Sequence, residues 1–302
     1  MVEFAPFVTG CPMSLKLSFL ARRGRGFALS LLAPALLALA AFAPAAVEAA
    51  PVVKGPEHGT LIIAGGGNLG PEILGRFIEL AGGKDAEIVV IPTAGGEAKY
   101  GPDCDCLGIF RKLGATHLTI LHTTDRQEAD SEAFVAPLKR AKAVWFVGGR
   151  QWHLVDSYLG TRTETEIHNL LARGGVAGGT SAGASIQASY MVRGAKAGNE
   201  VLMAPGYEQG FGLITGAGVD QHVTARHREG DLDALVTKHP DLLGIGIDQS
   251  TAIEVKRDSF KVLGVGHVFI HDGQEQPNGG HYYLLGAGDG FNLTTLTGTA
   301  KR

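Results

Sequence analysis

The residues best suited to covalent chemistry form the run Gly179-Thr180-Ser181-Ala182-Gly183, which lies between an apolar stretch and a predicted helix. This run has the G-x-S-x-G form of a nucleophile elbow, a sharp strand-to-helix turn that projects the serine hydroxyl beyond the strand. The amide of Ala182 would then point at the oxyanion that develops when Ser181 attacks a carbonyl group. We therefore predict that Ser181 is the nucleophile of a serine hydrolase. The alternative is that five small residues only make a tight connection.

A base for this serine is expected in segment 220–228, whose sequence is DQHVTARHR. Imidazole is the usual base for a serine hydroxyl, because its pKa lies near neutral pH. His222 is preferred to His227 because it lies at a predicted strand end, after the apolar stretch 211–219. A structural or exposed role is the alternative, since the chain contains 11 histidines.

A glycine pair, Gly148-Gly149, ends another predicted strand. The carboxyl ends of parallel strands meet at one edge of a sheet, where ligands bind, so this pair is predicted to face Ser181. Gly149 would supply a second oxyanion amide, and Gln151 would reach the substrate. Local hydrogen bonds at the start of a helix are the alternative role for Gln151.

The elements that must position these residues alternate between short apolar runs and amphipathic stretches. Strands are predicted at 60–64, 86–92, 118–121, 143–147, 175–178, 244–248, 252–255 and 261–268, and helices at 71–81, 109–113, 164–173 and from Ala182. Apolar strands separated by helices predict an α/β fold of three layers, with a mostly parallel sheet covered by helices on both faces. Residues 51–302 are assigned to one hydrolytic domain.

Residues 1–50 are predicted to be a signal peptide. Three arginines, Arg22, Arg23 and Arg25, precede an apolar run at 27–42, and small residues follow it up to Pro51. The apolar run is shorter than the roughly 20 residues of a membrane-spanning helix, so cleavage near Ala49 or Ala50 is expected rather than a stable anchor. The mature protein is therefore expected to be secreted or periplasmic.

The charge and the cysteine content limit the kinds of partner and cofactor that we expect. The formal net charge is -3, and no block of Lys and Arg is interleaved with aromatic residues, so no nucleic-acid partner is expected. Cys104 and Cys106 are interpreted either as two loop thiols or as one labile disulfide. Asp103 and Asp105 flank these cysteines, but no second ligand cluster follows at zinc spacing. Neither a metal nor another cofactor is predicted.

Six segments of the mature chain, taken together, carry a family resemblance. They are 61–66 (LIIAGG), 91–94 (IPTA), 146–151 (FVGGRQ), 179–185 (GTSAGAS), 220–222 (DQH) with Arg226 and Arg228, and 244–248 (GIGID). In this order they resemble the cyanophycinase branch of the serine peptidase family that also contains aspartyl dipeptidase (peptidase E).

The resemblance implies a class I glutamine amidotransferase-like (flavodoxin-like) arrangement with a Ser-His-acid triad. Ser181 and His222 carry over directly, and Glu200 is our choice for the acid, with Asp248 as its rival. The implied reaction is hydrolysis of cyanophycin (multi-L-arginyl-poly-L-aspartate) to β-Asp-Arg dipeptides. The implied substrate contacts are Gln151, Asp220, Gln221, Arg226 and Arg228.

The chain departs from the pattern of this branch at three places. Asp231 lies where the branch commonly has an arginine, Gln249 follows Asp248 where a glutamate is usual, and Arg150 follows Gly149 where an acid is frequent. These changes leave two other functions open: an exported peptidase for other aspartyl or isoaspartyl peptides, and a non-catalytic ligand-binding homologue. The sequence also leaves open whether the protein forms a homodimer.

Overall fold

The computed structural model describes residues 52–276 and 280–299, so the predicted signal peptide lies outside the described residues. The strands are β1 (Thr60–Ala64), β2 (Ile88–Ile91), β3 (Leu118–Ile120), β4 (Ala143–Phe146), β5 (Val176–Thr180), β6 (Ala188–Tyr190), β7 (Ile214–Gln221), β8 (Leu243–Ile247), β9 (Thr251–Lys256), β10 (Ser259–Gly264), β11 (Val268–His271), β12 (Tyr283–Leu285), β13 (Gly290–Asn292) and β14 (Thr297–Thr299). The α-helices are α1 (Arg76–Leu80), α2 (Asp105–Lys112), α3 (Arg126–Ala129), α4 (Glu132–Arg140), α5 (Gln151–Tyr158), α6 (Arg162–Ala172), α7 (Ala182–Ser185) and α8 (Asp231–Lys238).

The first sheet has nine strands in the order β14-β13-β10-β9-β1-β5-β4-β2-β3. Its parallel part consists of β1, β5, β4, β2 and β3, whose register pairs Ala64 with Thr180 and Phe146 with Gly179. The residues that follow β1, β4 and β5 therefore emerge side by side at one edge. This edge brings together Gly65, Gly148 and Ser181.

Both faces of the parallel strands are covered, as the sequence predicts. Leu61 and Ile63 of β1 belong to a core cluster that includes side chains of α4, α5 and α6. Ile62, between them, belongs to a second cluster with Phe77 of α1 and Phe110 of α2. Strands buried on both faces require continuous apolar sequence, which explains the runs LIIA and IVVI.

The second sheet has five strands in the order β12-β11-β8-β7-β6, and its β7 and β8 are parallel neighbours. Gln221 at the end of β7 is paired with Ile247 at the end of β8. His222 and Asp248 therefore leave adjacent strand ends, and segment 220–228 is delivered to the site by this second sheet.

The α/β class is confirmed, whereas the prediction of a mostly parallel sheet is not. Among the described strands, six pairings are parallel and six are antiparallel. Short connections allow antiparallel pairing only, and β9 and β10 are joined by two residues, Arg257 and Asp258. The predicted strand 261–268 is divided between β10 and β11, which lie in different sheets. The class I glutamine amidotransferase-like arrangement stays a prediction.

The described residues show two further local features. Cys104 and Cys106 form a disulfide at the start of α2. A search of the described segments finds no helix that is long and apolar enough to cross a membrane.

Candidate active site

Ser181 occupies the turn between β5 and α7 with φ 55° and ψ -113°. This backbone conformation is rare for a residue with a side chain, and such strain is concentrated at functional sites. The turn is held by the Ser181 amide, which donates to the carbonyl of Ala64 at 3.0 Å. The strand-turn-helix geometry predicted from the G-x-S-x-G run is present.

His222 lies directly against this serine. Its Nε2 is 2.8 Å from Oγ of Ser181, which is hydrogen-bonding distance. The backbone of His222 also has a positive φ, 57°, and its amide donates to the carbonyl of Gly65 at 2.9 Å. The ring is mostly buried, with Gly66 packed against it. The end of β1 therefore fixes the histidine beside the serine.

The glycine pair after β4 faces Ser181, as the sequence predicts. A methyl group added to Gly148 would lie 3.3 Å from Cβ of Ser181. Gly149 has φ 146°, and a methyl group there would lie 2.0 Å from the carbonyl oxygen of Ala94, so only glycine fits. Within the described structure, the amides of Gly149 and Ala182 donate to no other group. Both are available to an oxyanion.

The imidazole Nδ1 faces neither of the two predicted acids. Its neighbour is Gln249, whose Nε2 lies 2.9 Å away. Glu200 points into solvent, with 84% of its side chain exposed, and lies 3.6 Å from Arg228. Asp248 accepts hydrogen bonds from the amides of Thr224 (2.9 Å) and His267 (3.1 Å), and so stabilises the loops. The expected contact of Glu200 or Asp248 with His222 is therefore wrong for this structure.

Asp220, predicted to contact substrate, is fully buried in an ion pair that the sequence analysis missed. Nε of Arg193 donates to Oδ1 of Asp220 at 2.8 Å, and Nη2 of Arg193 donates to Oδ2 at 2.7 Å. Both side chains are almost inaccessible to solvent. Arg193 also bonds to Asp231 at 2.5 Å. Asp231, one of the departures from the family pattern, is thus bonded to Arg193. The signal that could have revealed Arg193 in the sequence is Asp220, because an acid buried at a strand end needs a cation as its partner.

Three other predicted substrate contacts also make internal bonds. Gln151 donates to the carbonyl of Val192 at 3.1 Å, and Arg228 donates to Oε1 of Gln221 at 3.1 Å. Gln221 in turn donates to Ser185 at 3.3 Å. All three side chains are buried, whereas Arg226 is exposed. Of the five predicted contacts, Arg226 is thus the one that is exposed.

The pKa of His222 is lowered from 6.5 to about 4. Burial is the main cause, because it disfavours the charged imidazole, and the positive charges of Arg226 and Arg228 add to it against the opposing effect of Asp220. The ring is therefore neutral, and able to accept a proton, at neutral pH.

We expect NMR titration to show a midpoint for the His222 ring protons near pH 4. Since the unfolded histidine binds its proton near pH 6.5, this group also makes the folded state less stable as pH falls between these two values. Circular dichroism at each pH will verify that the protein is folded, and His222→Gln will identify the signal. A midpoint at or above 6.5 would contradict this environment.

No cluster of three metal-binding side chains occurs in residues 52–276 or 280–299. The described residues bring together a serine, a neutral histidine and two free amides. This combination performs acyl transfer in serine hydrolases.

Comparison with known proteins identifies the family. The model of peptidase family S51 matches residues 61–263, which include Ser181 and His222. The chain is a member of peptidase family S51. This S51 peptidase is 34% identical over 246 residues to a cyanophycinase of Geminocystis herdmanii, with 75% of this chain and 89% of the relative covered. A cyanophycinase of Nostoc sp. is 34% identical over 257 residues, with 76% and 82% covered.

A solved structure has a similar fold. The crystal structure of a peptidase from an acI-B1 actinobacterium matches this S51 peptidase with a TM-score of 0.58 and 24% identity, over 79% of this chain and 98% of that one. Family and relatives together make the protein a serine-type peptidase, and the resemblance found in the sequence is confirmed.

Proposed function

We propose that this S51 peptidase hydrolyses cyanophycin to β-Asp-Arg dipeptides, with Ser181 as nucleophile and His222 as base. The observation that carries the proposal is the 2.8 Å contact between Ser181 Oγ and His222 Nε2. The cyanophycinase relatives, which match along three quarters of the chain, support the substrate.

The first half of the reaction acylates the enzyme. Nε2 of His222 takes the hydroxyl proton of Ser181 while Oγ attacks the peptide carbonyl carbon. The resulting oxyanion is stabilised by the free amides of Gly149 and Ala182, and loss of one such donor costs about 100-fold to 1,000-fold in serine peptidases. The imidazolium then gives its proton to the leaving amine, and the peptide C–N bond breaks.

The second half returns the enzyme to its starting state. Water enters in place of the amine, and Nε2 of His222 removes one of its protons as its oxygen attacks the acyl-enzyme carbonyl. The ester bond to Ser181 breaks, and the proton returns to Oγ. The product carries the new carboxyl group.

The charge of the substrate suits the exposed cation beside the site. The arginines of cyanophycin carry free α-carboxylates, and a guanidinium binds a carboxylate through two parallel hydrogen bonds. Arg226 lies four residues after His222 on the short helical turn Thr224–Arg226, with its side chain exposed. We assign the substrate carboxylate to this residue.

Arg226→Ala is expected to raise KM for cyanophycin at least about tenfold with little change in kcat, because a hydrogen bond to a charged group contributes about 1.5–3 kcal/mol and about 1.4 kcal/mol is a factor of ten. Initial rates over a range of substrate concentrations will measure the effect. Arg140→Ala removes an exposed arginine at the end of α4 and serves as the control. An unchanged KM in Arg226→Ala would move the carboxylate to another site.

The function is tested by incubating the purified protein with insoluble cyanophycin and identifying products by mass spectrometry. We expect β-Asp-Arg to accumulate, and a fluorophosphonate to stop the reaction by labelling Ser181. Ser181→Ala is the matched control for both measurements. Dipeptide release that continues in Ser181→Ala would contradict the mechanism.

Hydrolysis of other isoaspartyl peptides is the second candidate, and the Arg193 ion pair favours it. An acid such as Asp220 could bind the guanidinium of the substrate, but here Arg193 already occupies its carboxylate. A substrate without arginine needs no such acid. Comparing kcat/KM for β-Asp-Arg polymer and for isoaspartyl dipeptides with neutral second residues decides between the two candidates.

We also propose that the enzyme acts outside the cytoplasm. The arginines and apolar run before Ala49 and Ala50 support export, and an extracellular polymer-degrading enzyme would use it. N-terminal sequencing of protein collected from the medium and periplasm tests this, with Pro51 or a residue next to it expected as the first residue. A full-length N-terminus in the cytoplasm would contradict it.

A further inference from the structure

The side chain of Gln249 occupies the position from which a triad acid would act. Its Nε2 lies 2.9 Å from Nδ1 of His222, on the side of the ring opposite Ser181. Among the described residues, the amide group of Gln249 has no other hydrogen-bond partner. The residue is exposed and follows β8 through Asp248.

The amide oxygen and nitrogen of Gln249 can exchange positions without breaking any other hydrogen bond among the described residues. Oxygen and nitrogen of a glutamine amide have nearly the same shape, and their positions are assigned from the hydrogen bonds they make. Rotating the amide of Gln249 by half a turn places Oε1 against Nδ1 and sacrifices no other described contact. The protonation of His222 therefore selects the orientation.

The chemistry of Ser181 requires one of the two arrangements. If Nε2 is to accept the hydroxyl proton, it must present a lone pair, and the single proton of the neutral ring must lie on Nδ1. Nδ1–H is a donor, so the amide must turn its oxygen toward the ring. With the amide nitrogen donating to Nδ1, the ring proton would lie on Nε2 and block the reaction.

We propose that Gln249 is a positioning residue whose amide oxygen accepts the Nδ1 proton of His222, so that this peptidase, given the hydrolytic function proposed above, works without a triad carboxylate. None of the three nearby acids contacts Nδ1 of His222 in place of Gln249. Asp220 is occupied by Arg193, Asp248 by two backbone amides, and Glu200 lies in solvent beside Arg228.

A neutral amide orients the ring but stabilises the imidazolium less than a carboxylate does. The charged groups that act on His222 are Arg226 and Arg228, which disfavour its protonation, and Asp220, which favours it. In the proposed site, the imidazole of His222 thus stays neutral well into the acidic range, but the imidazolium that forms in the transition state is stabilised less. Gln249→Glu should add the missing charge at the same place.

The tautomer is measured directly on the full chain labelled with ¹⁵N, from the shifts of the two ring nitrogens of His222 at pH 7. We expect the Nδ1–H form in the wild-type protein and a mixture of tautomers in Gln249→Ala. In Gln249→Glu, the titration midpoint of His222 should rise by about 1–3 pH units, since an opposite charge now lies beside the ring. Gln127→Glu adds the same charge on exposed α3 and should leave His222 unchanged.

Kinetics on cyanophycin give the second measurement. Gln249→Ala is expected to lower kcat at least about tenfold with KM nearly constant, and Gln249→Glu to raise kcat and move the acidic limb of kcat/KM to higher pH. A residue that only stabilised the fold would not shift this limb.

Two results would overturn the role of Gln249: an Nε2–H tautomer in the wild-type protein, or an unchanged tautomer and kcat in Gln249→Ala. Failure of the proposed function is recognised separately. If wild-type protein with the Nδ1–H tautomer leaves cyanophycin intact, Gln249 positions the ring as inferred and the substrate assignment is wrong.

Discussion

Gly66→Ala is expected to reduce kcat on cyanophycin at least about 100-fold, although Gly66 has no side chain to take part in the reaction. The new methyl group would lie 2.1 Å from Cε1 of His222, with Nδ1 and Nε2 both 2.7 Å away. Contacts this short force the imidazole to move by about 1 Å, which is enough to remove Nε2 from the proton of Ser181. Initial rates and the tautomer of His222 will measure the displacement.

Gly82→Ala is a control that separates the displacement from backbone strain. Gly66 has φ 112° and Gly82 has φ 108°, so alanine is strained at both positions, but nothing lies within 4 Å of a methyl group at Gly82. We expect both variants to lose stability and only Gly66→Ala to lose turnover. Equal kcat values in the two variants would show that the end of β1 does not position the base.

The sequence was sufficient to predict much of the sheet edge that holds the candidate site, because local sequence patterns determine it. The apolar runs at β1, β4 and β5 can be buried only in a covered parallel sheet, and parallel strands bring their carboxyl ends to one edge. Ser181 and His222 each follow a strand directly, and Gly149 follows β4 after Val147 and Gly148. The approach of Gly149 to Ser181 was therefore predictable without knowing the order of the strands, whereas His222 comes from β7 of the second sheet.

The partners behind this edge depend on long-range contacts that spacing does not encode. Gln249 reaches Nδ1 of His222 because β7 and β8 are parallel neighbours in a second sheet, and that sheet was not predicted. Glu200 was a reasonable acid by its place in the chain, but its loop turns it toward Arg228 and solvent. Composition and periodicity specify which residues are buried more readily than which polar groups meet.

The Arg193–Asp220 pair is one such contact between polar groups that are distant in the sequence. Asp220 lies at the end of β7 with no exposed surface, and a buried carboxylate is tolerated only when a cation and hydrogen bonds cover it. Arg193 supplies both through Nε and Nη2, and the amide of Gln221 donates to the same carboxylate at 2.9 Å. The pair anchors the chain just before His222.

Arg193→Met should therefore lower the free energy of unfolding by about 3 kcal/mol, the low end of the range for a buried ion pair that loses one member, because Arg228 still lies 3.7 Å from Asp220. Urea unfolding followed by circular dichroism will measure the loss. Asp220→Asn in the Arg193→Met background removes the unpaired charge and should recover part of it. A double variant no more stable than Arg193→Met would show that the loss comes from packing rather than charge.

Arg162→Met provides the exposed counterpart of the same interaction. Arg162 pairs with Glu132 at 2.6 Å, but 44% and 61% of these side chains are exposed to solvent. Water and salt screen such a pair, so its loss should cost about 1 kcal/mol or less. Because the two substitutions are chemically identical, the difference between them measures burial. If both variants lost the same stability, burial would not be the reason that the Arg193–Asp220 pair stabilises the fold.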